Sequence, residues 1–223
     1  MKIGILLPAY NEEKNIETVI KEARKYFKDS EIVIVDDGSI DRTAELAKKA
    51  KVVVISHEKN KGKGEAIKTG FKYFLKRPVK YILIADADRQ YSIKDLKKLL
   101  IALNEADFVM GYRNFSKIPF RHKVGNFVWK TFFNLFFGTK LKDTNCGLIA
   151  LTKDAVKKMN VYGGYIIENS MLASAVENSL KIKQVPVNVD YKKVSSVQRG
   201  IKVVLGVLIF IIKEGIKYKL SFL

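Results

Sequence analysis

The sequence predicts an α/β layer sandwich built on a mostly parallel sheet. Three observations predict it. In residues 1–112, short β-branched runs alternate with longer helical patterns. The runs are apolar on both sides, as strands buried in a parallel sheet require. Polar clusters follow the runs, where ligands collect in such sheets. With 223 residues, 48% of them hydrophobic, the chain has material for one domain plus an appendage.

The elements come in order. Strands are expected at Ile3–Leu7, Ile32–Val35, Val52–Ile55, Tyr81–Ala85 and Phe108–Met110, and helices at Glu12–Phe27, Asp41–Ala50, Gly64–Leu75 and Ile93–Leu103. Asp41 is a candidate cap for the second helix, and Ser92, with Asp95 three residues on, for the fourth. Residues 1–112 form a first half and residues 113–198 a second, followed by a helical tail over 199–223. The opening apolar run stops at Pro8 after five residues, too short for a signal peptide.

Composition narrows the chemistry. One cysteine, Cys146, excludes an intrachain disulfide and a multi-cysteine zinc site, and two histidines exclude a histidine-rich metal centre. The net charge of +18 calls for an anionic partner. From Arg113 to Lys142 there are seven basic residues, no acid, seven of the thirteen phenylalanines and the only tryptophan. A basic, densely aromatic stretch fits a membrane-surface patch better than a nucleic-acid surface, with a core of phenylalanines under solvated lysines as the alternative. Val203–Ile212 is an unbroken apolar run followed by Lys213, Lys217 and Lys219. As a helix it rises about 15 Å, half of a bilayer core, so it is expected to be buried or interfacial. Ile201, Val204, Leu205, Leu208 and Ile212 share one face, with Val203, Val207 and Phe210 off it.

Four polar clusters are expected on one rim: Pro8–Glu13, Asp36–Ser39 with Asp41 and Thr43, Asn60–Gly64, and Asp86-Ala87-Asp88. Each alone is ordinary turn chemistry. Neither a Gly-x-Gly-x-x-Gly dinucleotide fingerprint nor a P-loop is present. Two carboxylates at i and i+2 after a buried strand suit a hard divalent cation, Mg²⁺ or Mn²⁺, that keeps open positions for a diphosphate.

These motifs, with Gly70, Arg89-Gln90-Tyr91 and Gly111-Tyr112-Arg113, resemble a family 2 glycosyltransferase of the GT-A fold. Arg121–Asn126, Asp143–Leu148, Val185-Pro186-Val187, Tyr191 and Ser195-Ser196 are similar to the polyprenyl-phosphate (dolichyl-phosphate) sugar transferases. The resemblance implies a Rossmann-like, mixed, mostly parallel sheet flanked by helices, with C-terminal membrane-associating helices. It implies inverting transfer of a sugar from a nucleotide-sugar donor to a lipid phosphate at the cytoplasmic face of a membrane, by a peripheral or monotopic enzyme without a nucleic-acid partner. By motif position, Pro8, Tyr10 and Glu12 form the base and ribose wall and Asp37 contacts the nucleoside. Lys63 neighbours phosphate or is solvated. Asp86 and Asp88 hold the metal-diphosphate, with Asp88 and Gln90 at the transfer centre and Gln90 on the donor sugar. Arg113, Arg121 and Arg199 meet the acceptor phosphate. Arg89 stands where the family often has Leu or Gly, and Glu168-Asn169-Ser170 keeps only the first acid of an acid-x-acid pair. Glu168 orients acceptor or metal, or stabilises a helix N-terminus.

A monoalkyl phosphate is largely ionised near neutral pH and needs no general base, whereas a sugar hydroxyl does. One such acid among many cations fits a phosphate acceptor better. The rival readings are a family 2 enzyme acting on a saccharide hydroxyl, a non-catalytic nucleotide- or nucleic-acid-binding protein, and a sugar-nucleotide pyrophosphorylase, for which no Gly-rich, Arg-containing signature follows the first strand. Sugar, nucleotide and oligomeric state are not legible.

Overall fold

A computed structural model describes residues 2–114, 120–161, 166–190 and 201–222, with backbone alone for 120–124 and 201–204. Seven strands form one sheet: β1 (Ile3–Ala9), β2 (Ser30–Asp36), β3 (Val53–Ser56), β4 (Tyr81–Ile84), β5 (Phe108–Arg113), β6 (Ile149–Thr152) and β7 (Ile182–Val187). Their order is β3-β2-β1-β4-β6-β5-β7. All neighbours are parallel except β6, which runs antiparallel between β4 and β5. The sheet is therefore mixed, and both halves of the sequence contribute to it.

The helices are α1 (Ile16–Tyr26), α2 (Thr43–Lys49), α3 (Lys63–Leu75), α4 (Leu96–Ala102), α5 (Phe120–Phe137), α6 (Lys153–Lys158), α7 (Ile167–Glu177) and α8 (Ile201–Leu220). The four expected helices correspond to α1–α4, the last preceded by a short 3₁₀ turn at Ile93–Asp95. The N-cap of α2 is Arg42, without a side-chain cap, rather than the expected Asp41; one residue earlier, Asp41 Oδ1 accepts from the Thr43 N–H at 2.9 Å and hydroxyl at 2.5 Å. Ser92 makes no side-chain cap, and Asp95 is instead buried, accepting from the Asn188 N–H at 2.9 Å and from Lys98 at 2.7 Å. The exit of β7 has claimed the carboxylate that the local pattern assigns to a helix end.

Strands β1, β2 and β4 bury nearly every side chain. Pro8 lies inside β1, a central strand, where a missing N–H would ordinarily break a ladder. Here the β1–β4 pairing ends at Leu6↔Ile84, and Leu6 O accepts its last bond from the Ala85 N–H. Ala9 O faces β2 and accepts from the Asp37 N–H, so the alternation turns Pro8 toward the side β4 has already left. The proline therefore leaves no gap in the ladder, and β1 and β4 splay apart beyond it.

Helix α8 packs along α5. Trp129, Phe133 and Phe137 of α5 are buried, and Phe133 stacks on Phe137 at 4.5 Å between ring centroids. The expectation that the aromatics of this segment face a membrane is thus corrected for Trp129, Phe133 and Phe137, which are protein core; Phe132 and Phe136 are half-buried against that core, and Phe127 is well exposed, at 62%. On α8, Val207 and Ile211 are inside and Leu205 and Ile209 are outside. A helix apolar all round has no preferred face of its own, and its partner selects one. Gly215 permits the close approach, because a Cβ there would lie 2.3 Å from Phe136 Cβ. Gly215→Val should push α8 off α5 at a cost of about 1–3 kcal/mol, read as a lower melting temperature with earlier proteolysis of the C-terminal segment. An unchanged melting temperature would refute this packing.

Candidate active site

The strand order reverses between β1 and β4: β1 leads outward to β2 and β3, and the chain then returns to place β4 on the other side. Such a switch point leaves a crevice beyond the C-terminal strand ends, and here Pro8 widens it. All four polar clusters lie on this rim, as expected.

Backbone–side-chain bonds staple the first two clusters together. The N–H groups of Asn11, Glu12 and Glu13 donate to Ser39 Oγ (2.9 Å), Thr43 Oγ1 (2.7 Å) and Asp41 Oδ2 (3.1 Å). Asn11 takes the left-handed conformation (φ 55°) that lets three successive N–H groups face the second loop. Tyr10 is left 44% exposed on the crevice wall. Glu12 accepts from Asn15 Nδ2 at 2.7 Å, and burial raises its carboxyl above the ordinary range, with Asp86 and Asp41 adding to the effect.

Asp37 turns inward. Its Oδ1 is 2.7 Å from His57 Nδ1 and accepts from the Lys61 N–H at 3.0 Å, while Oδ2 accepts from the Gly62 N–H at 2.7 Å. His57 Nε2 reaches Thr69 Oγ1 at 2.9 Å. Asp37 is 3% exposed, and these bonds fix the loop that starts α3. Sequence reading missed His57 and Thr69, whose side chains gain meaning only through this contact.

The loop held by Asp37 delivers Lys63, the first residue of α3, into the crevice. Its ammonium is 2.5 Å from Asp86 Oδ1 and 2.7 Å from Glu168 Oε1 on the first turn of α7. Burial opposes the charged form, but the two carboxylates outweigh it and hold the lysine above its usual range. Lys63 is therefore neither simply solvated nor free. Asp88 Oδ1 accepts from the Gln90 N–H at 2.9 Å. Its carboxyl is pushed up to about 7, first by burial and then by the charge of Asp86. Between the two, the Gln90 carbonyl accepts from the Asp190 N–H at 2.9 Å, and Tyr91 bridges to Val189, so the exit of β7 pins this loop. Arg89 has φ 61°, a conformation that glycine adopts without strain, which accounts physically for glycine being suited to this position.

Gly147, just before β6, closes the back of the site. A Cβ there would fall 2.1 Å from Asp86 Oδ2, so the glycine backbone forms the wall on which the carboxylate rests. Asp86 and Asp88 on the loop after β4, Lys63 on α3 and Glu168 on α7 are brought together from three separate parts of the fold. The donor set fits a hard divalent cation: two carboxylates whose negative charge is crowded in a partly buried crevice, where burial and then the charge of Asp86 push the Asp88 carboxyl up to about 7. Asp86 and Asp88 are the residues that would hold it. Among the described residues, no group of three or more His, Cys, Asp or Glu that could hold a metal ion is present.

Arg113, expected at the acceptor phosphate, is ion-paired to Asp143. Its Nε and Nη2 donate to the two oxygens of Asp143 at 2.6 and 2.8 Å, and Nη2 also reaches Asn126 Oδ1 at 3.3 Å. Asp143 is fully buried, so this bidentate pair is part of the scaffold. Asn126, Asn145 and Asn169 continue it as a buried amide chain, Asn169 Nδ2 donating to Asn145 Oδ1 at 2.9 Å, and end beside Glu168. Arg121 lies on α5 with only its backbone described, and Arg199 lies outside the described residues. Cys146 is buried, and burial pushes its thiol up to about 12, which removes it as a nucleophile.

The family model for glycosyl transferase family 2 matches residues 4–159. The chain is 32% identical over 235 residues to the UDP-N-acetylglucosamine–dolichyl-phosphate N-acetylglucosaminyltransferase of Methanococcus voltae, covering 93% of each chain. It is 27% identical over 223 residues to the dolichyl-phosphate beta-glucosyltransferase of Saccharomyces cerevisiae, covering 83% of this chain and 66% of that one. Its fold is similar to that of glucosyl-3-phosphoglycerate synthase from Mycobacterium tuberculosis, solved with Mn²⁺, uridine diphosphate and glucosyl-3-phosphoglycerate. The TM-score is 0.74 at 18% identity, with 96% of this chain and 79% of that one covered.

The Asp88 carboxyl binds its proton more tightly in the folded chain than in the unfolded one, where a carboxyl titrates near ~4. The folded state therefore loses stability from this group as pH rises from ~4 through about 7. In chelator-treated protein, Asp88→Asn should melt above the parent at about pH 8, and the difference should shrink by about pH 5. Calorimetry across that range checks the sign, and a variant less stable at the higher pH contradicts it.

Proposed function

The chain belongs to glycosyl transferase family 2 and is a glycosyltransferase, and from that membership we propose that it transfers a sugar from a nucleotide-sugar donor to a polyprenyl phosphate. The observation that carries the reading is the crowded Asp86–Asp88 pair at the β1/β4 switch point, facing Lys63. Relatives named for dolichyl phosphate support the acceptor class.

Tyr10, with Pro8 behind it and Glu12 beside it, would form the wall for the base and ribose. Asp37 holds the loop from which Lys63 reaches the diphosphate. Asp86 and Asp88 would hold Mg²⁺ or Mn²⁺, which when bound supplies electrostatic stabilisation for the charge gathering on the leaving diphosphate. Gly147 keeps the Asp86 carboxylate in place, and Gln90 lines the approach to the sugar. The acceptor attacks the face opposite the leaving group, so the configuration inverts. Glu168 is salt-bridged to Lys63 at 2.7 Å, which weakens it as a proton acceptor. A nucleophile that arrives already ionised, such as a lipid phosphate, suits this arrangement better than a sugar hydroxyl. Arg121 and Arg199 are proposed to meet the acceptor phosphate, with Arg113 bracing the scaffold around them.

Among the described residues, no helix is long and apolar enough to cross a membrane. Helix α8 leaves Leu205, Ile209, Ile216 and Leu220 exposed, and Lys213, Lys217 and Lys219 lie on the same helix. This arrangement supports an interfacial seat at the cytoplasmic side of the membrane, where an oily acceptor is available.

With radiolabelled UDP-glucose, UDP-N-acetylglucosamine and GDP-mannose offered in turn, one donor should yield chloroform-extractable label that requires polyprenyl phosphate and Mg²⁺ or Mn²⁺. Asp86→Asn and Asp88→Asn should each lower that rate by roughly hundredfold or more. Label appearing only in a water-soluble saccharide would favour the hydroxyl-acceptor reading instead. Gly147→Ala must displace the Asp86 carboxylate, and Mn²⁺ affinity measured by electron paramagnetic resonance should fall by about tenfold. Unchanged affinity would remove Asp86 from the metal site.

A further inference from the structure

The C-terminal ends of β5 and β7 carry a second concavity, a cleft of about 620 Å³. Tyr112, Leu141 and Pro186 are among its lining residues, as are Lys98, Lys130 and Lys142. No lining residue is acidic. Arg113 also borders the cleft, but its charge is matched by Asp143, and that of Lys98 by Asp95. Lys130 and Lys142 lie over aromatic faces instead, 5.3 Å from the Phe127 ring centroid and 4.5 Å from that of Tyr112.

The cleft is separate from the transfer site. In the order β4-β6-β5-β7, the ends of β5 and β7 lie two and three strands from the end that bears Asp86, about 10–14 Å at ordinary strand spacing. An anion held here does not touch a sugar carbon held at the Asp86–Asp88 pair.

We propose that this cleft is a phosphate-ester site: Lys130 and Lys142 take the phosphate, and Tyr112, Leu141 and Pro186 take the carbon of the ester. The combination of two lysines that have no carboxylate partner among the described residues with apolar walls selects an anion that carries a hydrocarbon portion over a fully hydrated one. Phe127, 62% exposed one turn before Lys130, sets an apolar side chain at the lip. A membrane phospholipid head group and a free phosphate ester share this chemistry. The assignment goes beyond the transfer reaction and does not depend on it.

The test compares the parent protein with Lys130→Glu/Lys142→Glu and with Lys21→Glu/Lys48→Glu, a control of the same charge change on α1 and α2. Binding is measured without any sugar donor, to glycerol phosphate by calorimetry and to phosphatidylcholine vesicles with and without phosphatidylglycerol by sedimentation. The cleft variant should lose about tenfold or more in affinity for the phosphate ester or for the phosphatidylglycerol vesicles. The control should lose less than about threefold. Loss confined to the vesicles identifies a lipid head group, and loss toward glycerol phosphate as well identifies a free ester. Lys130→Gln/Lys142→Gln repeats the comparison should the glutamate pair misfold. Equal losses in cleft and control variants, or no binding of either probe by the parent, overturn the proposal. Because no donor is present, failure here leaves the transfer reading standing, and failure of label transfer leaves this site standing.

Discussion

Several negative charges packed into one crevice need a cation, and the rest of the site is arranged around that requirement. Asp86 and Asp88 sit two residues apart at the end of a buried strand, with Glu12 and Glu168 close enough for their charges to be felt. Water is partly excluded, so repulsion is strong and one carboxyl keeps its proton near neutrality. Lys63 supplies one positive charge and bridges two of the acids. What remains is a pair of hard oxygen donors still short of positive charge, which is the condition for gripping a divalent cation and, through it, a diphosphate.

The scaffold exists to hold that pair still. Asp37, buried and fully bonded, sets the loop that aims Lys63. The exit of β7 ties down the turn after Asp88, and the bare backbone of Gly147 sets the position of Asp86. Pro8 lets β1 and β4 part without leaving a donor unpaired. In the second half, the Arg113–Asp143 pair and the chain of asparagines behind it link α5 to α7. Helix α5 and the charge cluster are thereby linked by one chain of hydrogen-bonded polar side chains, most of them buried.

Helices α5 and α8 show how little composition says about orientation. Both are rich in apolar side chains, and either lipid or protein could cover them. The structure gives Trp129, Phe133 and Phe137 to the core and leaves a different set, including Phe127, Leu205 and Ile209, outside. The surface that remains is apolar and basic, consistent with an enzyme that works beside a membrane.

By itself, the sequence determined the alternation of strand and helix, the shared rim of the four polar clusters, the Asp86–Asp88 pair and the membership of a glycosyltransferase family. Those features are local: strand runs, turn residues and i, i+2 spacing are written in neighbouring residues. The tertiary structure alone decided that β6 runs antiparallel between β4 and β5, that Asp37 faces inward to His57, that Lys63 bridges Asp86 and Glu168 across 105 positions of sequence, and that Arg113 pairs with Asp143. It also decided which face of α8 is buried. Each of these depends on which partner a charged or apolar group meets in space, and a side chain's own identity does not specify that partner.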